Sequence, residues 1–205
     1  MLNEGFNNIR PVLIRPLAKE DAPAYRALML EGYALAADAF TSVAEERASE
    51  PLTWWERRIQ DPNGLSRAFG AFDDGLLVGT VALEYSAKVK TRHKAAIVGL
   101  YVAPANRNRG AGLALIKALI DQSQTRLGVT MLTLTVTDGN LPAIRLYASM
   151  GFEPWGIEPR AVFTGTEYKS KVHMCLILDS VGQSSADTTS IAQGASSTPP
   201  RISRS

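Results

Sequence analysis

The stretch Leu100-Tyr101-Val102-Ala103-Pro104-Ala105-Asn106-Arg107-Asn108-Arg109-Gly110-Ala111-Gly112-Leu113 decides the fold. The apolar run from Ala95 to Val102 that feeds it reads as a strand. Leu113 to Leu127, with Leu115, Ile116 and Leu119 on one face, reads as a helix. Between them, glycines let the backbone turn tightly and let a ligand approach without meeting Cβ atoms, while the free N–H groups at the helix start converge on one spot. Such a spot holds an anion, and Arg107 and Arg109 add side-chain charge, which makes a diphosphate the expected guest. The same turn can equally exist only to pack strand against helix. Two familiar phosphate loops do not fit. A P-loop needs Lys and then Ser or Thr directly after its second glycine, where Leu113 and Ala114 stand. A dinucleotide fingerprint needs a third Gly or Ala where Leu115 stands, and it belongs near a first strand.

Downstream, Met131 to Thr137 alternates as a strand, and Asp138-Gly139-Asn140 leads into a short helix, Leu141 to Met150, closed by Gly151. Asn140 is placed to cap that helix. Tyr147, two turns later, lies on nearly the same side, where it can serve the core or a ligand. Upstream, Val12 to Arg15 reads as a strand, Lys19 to Pro23 as a helix start, and Thr53 to Ile59 as a second helix. Between those helices, from Glu31 to Pro51, periodicity is weak. Arg67 to Phe72 and Leu76 to Glu84, joined by Asp73-Asp74-Gly75, form an expected hairpin. Ala161 to Phe163 and Lys171 to Leu178 read as a terminal strand pair. Parallel pairing is required only in the strand-helix-strand unit from Ala95 to Thr137.

Length and composition bound the rest. The chain has 205 residues, of which the last 25 include 10 Ser or Thr and almost no large apolar groups, so residues 179–205 read as a disordered tail and 1–11 as an N-terminal extension. One domain, 12–178, remains. Over the whole chain, 45% hydrophobic and 20% charged residues are ordinary for a globular protein. A formal charge of +2 is too small to suggest a nucleic-acid binder, and the single cysteine, Cys175, rules out a cysteine-based metal cluster. No apolar stretch approaches the roughly 18 residues of a membrane span, and Met1 to Arg10 lacks the pattern of a secretory signal, so a cytoplasmic location is expected.

In combination, the strand ending Leu100-Tyr101-Val102, then Pro104, the Arg-x-x-Gly-x-Gly loop, a helix, another strand, and Asn-x6-Tyr-x3-Gly-Phe from Asn140 to Phe152 resemble the GNAT superfamily of acetyl-CoA-dependent N-acetyltransferases. The resemblance is densest over residues 95–152. It implies an α/β (α+β) fold with a mixed, mostly antiparallel central sheet flanked by helices and a β-α-β coenzyme-binding core. Acetyl-CoA is then the co-substrate. Its pyrophosphate is expected on the backbone amides of Asn108, Arg109, Gly110, Ala111, Gly112 and Leu113, with Arg107 at the loop entrance. The pantetheine arm is expected to pair like a strand with Leu100, Tyr101 and Val102, whose neighbour splays away, and an N–H near Val102 to polarise the thioester carbonyl. Asn140 holds the arm or a water, and Tyr147 is the candidate general acid for the departing thiolate.

The acceptor implied is a primary amine, on a small molecule or a protein N-terminus. Many family members carry a glutamate base at the places where Ala96 and Thr135 stand here, and neither residue can take a proton. His93 is the candidate base, with Glu84 or a water chain as substitutes. Asp38, Glu45, Glu46 and Glu158 can attract a cationic amine, and Trp54, Trp55 and Trp155 suit the core or a pocket wall. Two other readings remain: a non-catalytic acyl-CoA-binding regulatory module, suggested by the missing glutamate, and a nucleic-acid binder using Lys88 to Lys94 with Arg107 to Arg109, which the near-neutral charge disfavours. The state expected is monomer or homodimer, with no membrane partner.

Overall fold

The computed structural model describes residues 12–178. The expected N-terminal extension and serine-rich tail lie outside the described residues. Strand β1 (Leu13–Pro16) is followed by helix α1 (Ala22–Leu35). The start of α1 is fixed electrostatically: Arg15 donates to both Asp21 carboxylate oxygens at 2.7 and 2.8 Å, and the Ala18 amide donates to the same group at 2.8 Å. These bonds, the guanidinium's first, hold the Asp21 carboxyl below its ordinary range. Pro23 sits in the first turn, where its missing N–H costs nothing. Inside the weakly periodic stretch the structure forms one further short helix, α2 (Ala44–Ala48), before α3 (Leu52–Ile59), whose Trp55 and Ile59 are fully buried.

Strands β2 (Ser66–Asp73) and β3 (Leu76–Tyr85) form the expected hairpin. Its two-residue turn, Asp74 and Gly75 at φ 47° and 81°, has the left-handed backbone that matches strand twist. Strand β4 (Lys94–Val102) runs into helix α4 (Ala111–Gln124). The helix starts two residues before the expected Leu113, because Gly110 in left-handed conformation already caps it, and Leu127 lies beyond its end, fully exposed. Strand β5 (Met131–Thr137), helix α5 (Leu141–Ser149), and strands β6 (Glu153–Phe163) and β7 (Tyr168–Ile177) complete the described residues. β6 is much longer than the expected Ala161 to Phe163. Pro154, Gly156 and Pro159 interrupt its apolar pattern, yet an edge strand with two breaks in register tolerates them.

The seven strands lie in the order β1-β2-β3-β4-β5-β7-β6, and among the described residues only β4 and β5 pair in parallel. Apolar clusters cover both faces. On one face α4 and α5 bury Leu115, Ile116, Leu119 and Tyr147 against Ile97, Leu132, Leu134, Val136 and Met174. On the other, α1 and α3 bury Tyr25, Met29, Tyr33 and Trp55 against Ala68, Phe72 and Ala82. Each large side chain so buried contributes about 1.5–3 kcal/mol. Trp54 is half-buried between the guanidinium groups of Arg47 and Arg58, at 4.8 and 4.9 Å, and Trp155 is exposed.

The end of α5 supplies a stability test. Gly151 (φ 87°) donates to Ala148 and Phe152 to Tyr147, a Schellman ending that requires a left-handed residue at position 151. Gly151→Ala should lower the urea-unfolding free energy by about 1 kcal/mol. Gly156→Ala, whose Cβ meets nothing within 4 Å, should change it by less than about 0.5 kcal/mol.

Candidate active site

The opening begins at a bulge in β4. Gly99 and Leu100 stand opposite the single residue Val81 of β3, and Gly99 adopts φ 66°, a conformation open to glycine. On its other edge β4 pairs with β5 over only three residues, Lys94 to Ala96, and the strands then part. From Ile97 to Val102 that edge has no strand partner among the described residues. The parting opens into a groove of about 600 Å³ lined by Leu100, Tyr101 and Val102, by the loop from Asn106 to Leu113, by the start of α5 and by Ala36, Ala39 and Phe40.

One end of the groove is built for an anion. The amides of Asn108 to Leu113 donate no hydrogen bond among the described residues, α4 has no side-chain cap, and its first turn has no acidic residue. Converging free amides and the positive end of a helix suit a diphosphate. Arg107 lines this end, donates from Nε to the Val102 carbonyl at 2.9 Å, and lies 5.6 Å from the centre of the Tyr101 ring. Arg145, to which the sequence reading assigned no role, also lines the groove, with no ion pair among the described residues. Its place between Asn140 and Tyr147 in the chain was the available signal. Arg109 is placed elsewhere: its guanidinium pairs with Asp73 at 2.8 Å, beside an Asn106 bond to the same oxygen at 3.0 Å. It pins the loop to the β2–β3 turn instead of facing the groove.

Asn140 lines the groove and also caps α5, accepting from the Ala143 amide at 3.3 Å. Its side-chain N–H groups stay available. Tyr147 is 6% exposed and belongs to the core on the α4–α5 face; it is next in sequence to the groove-lining residue Leu146 without lining the groove itself, and it stacks edge-on against Phe152 at 5.9 Å. Burial alone pushes its hydroxyl well above the ordinary phenol range. That hydroxyl makes no hydrogen bond among the described residues, yet it is not one of the sealed, unpartnered polar atoms of the interior. Tyr101 faces the opposite way, toward α1, and donates to Glu31 at 2.9 Å. Burial first, and then that bond, push it up to about 12.

The structure does not bring His93 to this site. It lies where β4 and β5 are closed together, its carbonyl accepting from Thr130 and Met131, and the seven residues from there to Leu100 span about 23 Å. Glu84 stands directly opposite Ala96 and pairs with Arg58 at 3.5 Å. Two polar residues to which sequence reasoning assigned no role lie on β7. His173 stands in register with Thr135, on the face shared with Ala96, and its Nε2 lies 3.1 Å from the Glu158 carboxylate. Lys171 stands in register with Thr137 on that same face. Only long-range register assembles this group, and no local pattern carries it.

A family model described as acetyltransferase (GNAT) family matches residues 29–152. The L-amino acid N-acetyltransferase AaaT of Escherichia coli (strain K12) is 28% identical over 60% of this chain and 75% of its own length. Streptothricin acetyltransferase of Streptomyces lavendulae is 38% identical over 49% of this chain and 51% of its own. Among solved structures, a GNAT superfamily phosphinothricin acetyltransferase from Sinorhizobium meliloti in complex with AcCoA has a TM-score of 0.73 at 16% identity, covering 87% of this chain and 95% of that one, which is a likeness of fold. With more than half its length matched by that model, and with the glycine loop and parted strands in place, the chain belongs to the GNAT family of acetyltransferases.

Proposed function

We propose that this protein transfers the acetyl group of acetyl-CoA to a primary amine, on a small molecule or a protein N-terminus, by direct attack with Tyr147 as general acid. The observation that carries the reading is the run of free amides from Asn108 to Leu113, set at the mouth of a groove whose wall is an unpaired strand edge. Arg107 and Arg145 supply cations for the phosphates, and Leu100 to Val102 offer main-chain groups to an extended amide-bearing arm. Asn140 is the side chain positioned to hold that arm.

Expulsion of the thiolate needs a proton. The Tyr147 hydroxyl, kept neutral by burial and free of any protein acceptor, suits the donor's role. The missing strand glutamate favours a second reading, a non-catalytic acyl-CoA-binding module, but a buried tyrosine hydroxyl with no hydrogen-bond partner among the described residues, on the helix that lines the groove, supports catalysis. The basic stretches Lys88 to Lys94 and Arg107 to Arg109 stand at opposite ends of β4, about 25 Å apart along the strand, which speaks against one shared nucleic-acid surface.

Purified protein mixed with acetyl-CoA and an amine panel should release thiol with at least one acceptor; coenzyme binding without thiol release from any of them would establish the second reading. Tyr147→Phe should lower kcat about a hundredfold while leaving the calorimetric affinity for acetyl-CoA within about twofold. No alkaline loss of activity from tyrosine ionisation should appear near pH 10, because the shift is upward.

The two loop arginines should separate. Arg107→Ala should weaken coenzyme binding and flatten its salt dependence, since it removes a charge at the phosphates. Arg109→Ala should mainly destabilise the fold, by about 1 kcal/mol, and a double-mutant cycle with Asp73→Ala should show the coupling.

A further inference from the structure

Over β2 to β4 the sheet face beneath α1 and α3 is apolar, but over β5 and β7 the same face is polar. It carries Thr135, exposed, with His173 and Cys175 half-buried. This face adjoins the parting of β4 from β5, on the side away from α4. Thr133 is level with Ala96, so Thr135 is level with Val98, and Thr137 lies about where the bulge begins. Lys171 and His173 are the ladder partners of Thr137 and Thr135. Both therefore sit one strand from the opening, at its depth.

Lys171 is unusual for a lysine. It is 9% exposed, yet it makes no ion pair or hydrogen bond among the described residues. Its direct cross-strand partner is Glu158, where a pair of opposite charges is ordinarily stabilising. That carboxylate instead turns diagonally to His173, at 3.1 Å. One carboxylate thus orients an imidazole and leaves a cation without its counter-ion. A desolvated ammonium is costly unless an anion joins it. Its nitrogen is not one of the sealed polar atoms, so it keeps contact with solvent. Burial holds the ammonium below the ordinary lysine value, against a smaller raising effect of Glu158.

The histidine is held equally definitely. An ionised carboxylate only accepts, so Nε2 carries the hydrogen and Nδ1 keeps the lone pair that can accept a proton. Trp155 packs against the ring, 5.1 Å between centres. Residues two apart on a strand project from the same face with their Cα atoms about 7 Å apart, so an amine and a carboxylate borne on one carbon can meet both side chains at once.

Resting on the acetyl-transfer reading above, we propose that Lys171 and the Glu158–His173 pair form the acceptor subsite, where Lys171 binds the carboxylate of an amino-carboxylate acceptor and His173 takes a proton from its amine. The acceptor enters as an ammonium. His173 Nδ1 removes one proton, and the freed lone pair forms the N–C bond at the thioester carbon. The C–S bond breaks with its electron pair going to sulfur, which takes a proton from Tyr147. The nitrogen's second proton leaves to water, from which Tyr147 is reprotonated, and His173 returns its own to solvent. The products are an amide, a thiol and one released proton. The charged and titratable groups on the same face are Glu158 and Glu153 of β6, Lys169, Lys171 and Cys175 of β7, and Asp38 in the connection after α1, whose carbonyl accepts from Thr137.

The test uses the full chain, L-amino acids and their carboxamides, thiol release, and calorimetric binding of each acceptor. The wild type should favour free acids over carboxamides by about tenfold to hundredfold in kcat/KM. Lys171→Met, which keeps the apolar stem, should erase that preference by slowing acids only. His173→Gln should lower kcat about a hundredfold and remove the acid limb of the pH profile, while carboxylate-dependent binding persists. Equal use of acids and carboxamides by the wild type, or a Lys171→Met loss shared by both, overturns the subsite. Should no amine release thiol, the acetyl-transfer reading fails by itself. Carboxylate-dependent binding that Lys171→Met abolishes would then still support the subsite, and its absence would overturn it.

Discussion

A strand inside a sheet cannot leave its main-chain groups unpaired without cost, and among the described residues β4 does so on one edge over six of its nine residues, Ile97 to Val102. Its pairing with β5 stops at Ala96, and the bulge at Gly99 turns the remaining residues away. The surroundings follow from this one departure. Gly32 of α1 lies so close that a Cβ there would stand 3.0 Å from the Tyr101 ring, which lets α1 press the free half of β4 from one side. Arg107 closes one exposed carbonyl, at Val102, from the loop. Gly79 permits the same closeness from β3, where a Cβ would meet Val102 at 3.2 Å and Leu115 at 3.3 Å. The edge is held rigidly apart from its neighbour, and a rigid unpaired edge is a template for an extended ligand.

The second motif shows how a structural device and a chemical one share residues. Helix α5 has only nine residues, too short to stand on propensity alone. Asn140 caps one end, and the Gly151 and Phe152 amides close the other on the carbonyls of Ala148 and Tyr147. Phe152 then packs its ring on Tyr147, the contact that commonly accompanies this ending. The spacing from Asn140 to Gly151 is therefore the length of a doubly capped helix, and its consequence is a tyrosine whose orientation is fixed by backbone bonds. A capping role for Asn140 does not compete with a role toward a ligand, because the cap uses the carbonyl oxygen and leaves the amide N–H groups.

What the sequence made legible was local. Hairpin, glycine loop and cap each depend on residues within a few positions, so the β2–β3 turn, the anion-binding start of α4 and the limits of α5 could be read directly. The bulge carried a signal, a glycine inside an apolar strand, that periodicity alone passes over. β6 was underestimated because its two prolines are tolerated only at a sheet edge, and edge position is a property of topology. Arg109 and His93 illustrate the other limit. Both have the right chemistry near the right motif, yet Asp73, 36 residues earlier, claims the arginine, and strand length carries the histidine to the wrong end.

The absence of a glutamate at Ala96 also has a physical reason. Ala96 stands opposite Glu84, which is already paired with Arg58. A carboxylate at position 96 would face a like charge directly across the ladder, with the Arg58 guanidinium already engaged by Glu84, and such pairs are destabilising. Position 135 is free of that conflict but belongs to an exposed threonine, whose hydroxyl cannot serve as a base near neutral pH. The next residue outward at the same depth is His173. The proposed subsite puts its proton acceptor one strand across, which keeps the level and the face while changing the element that carries it. Under the proposed direct attack, a lone pair is needed at that depth on the acceptor side, and the register of β5 with β7 offers His173 there without a residue on β4.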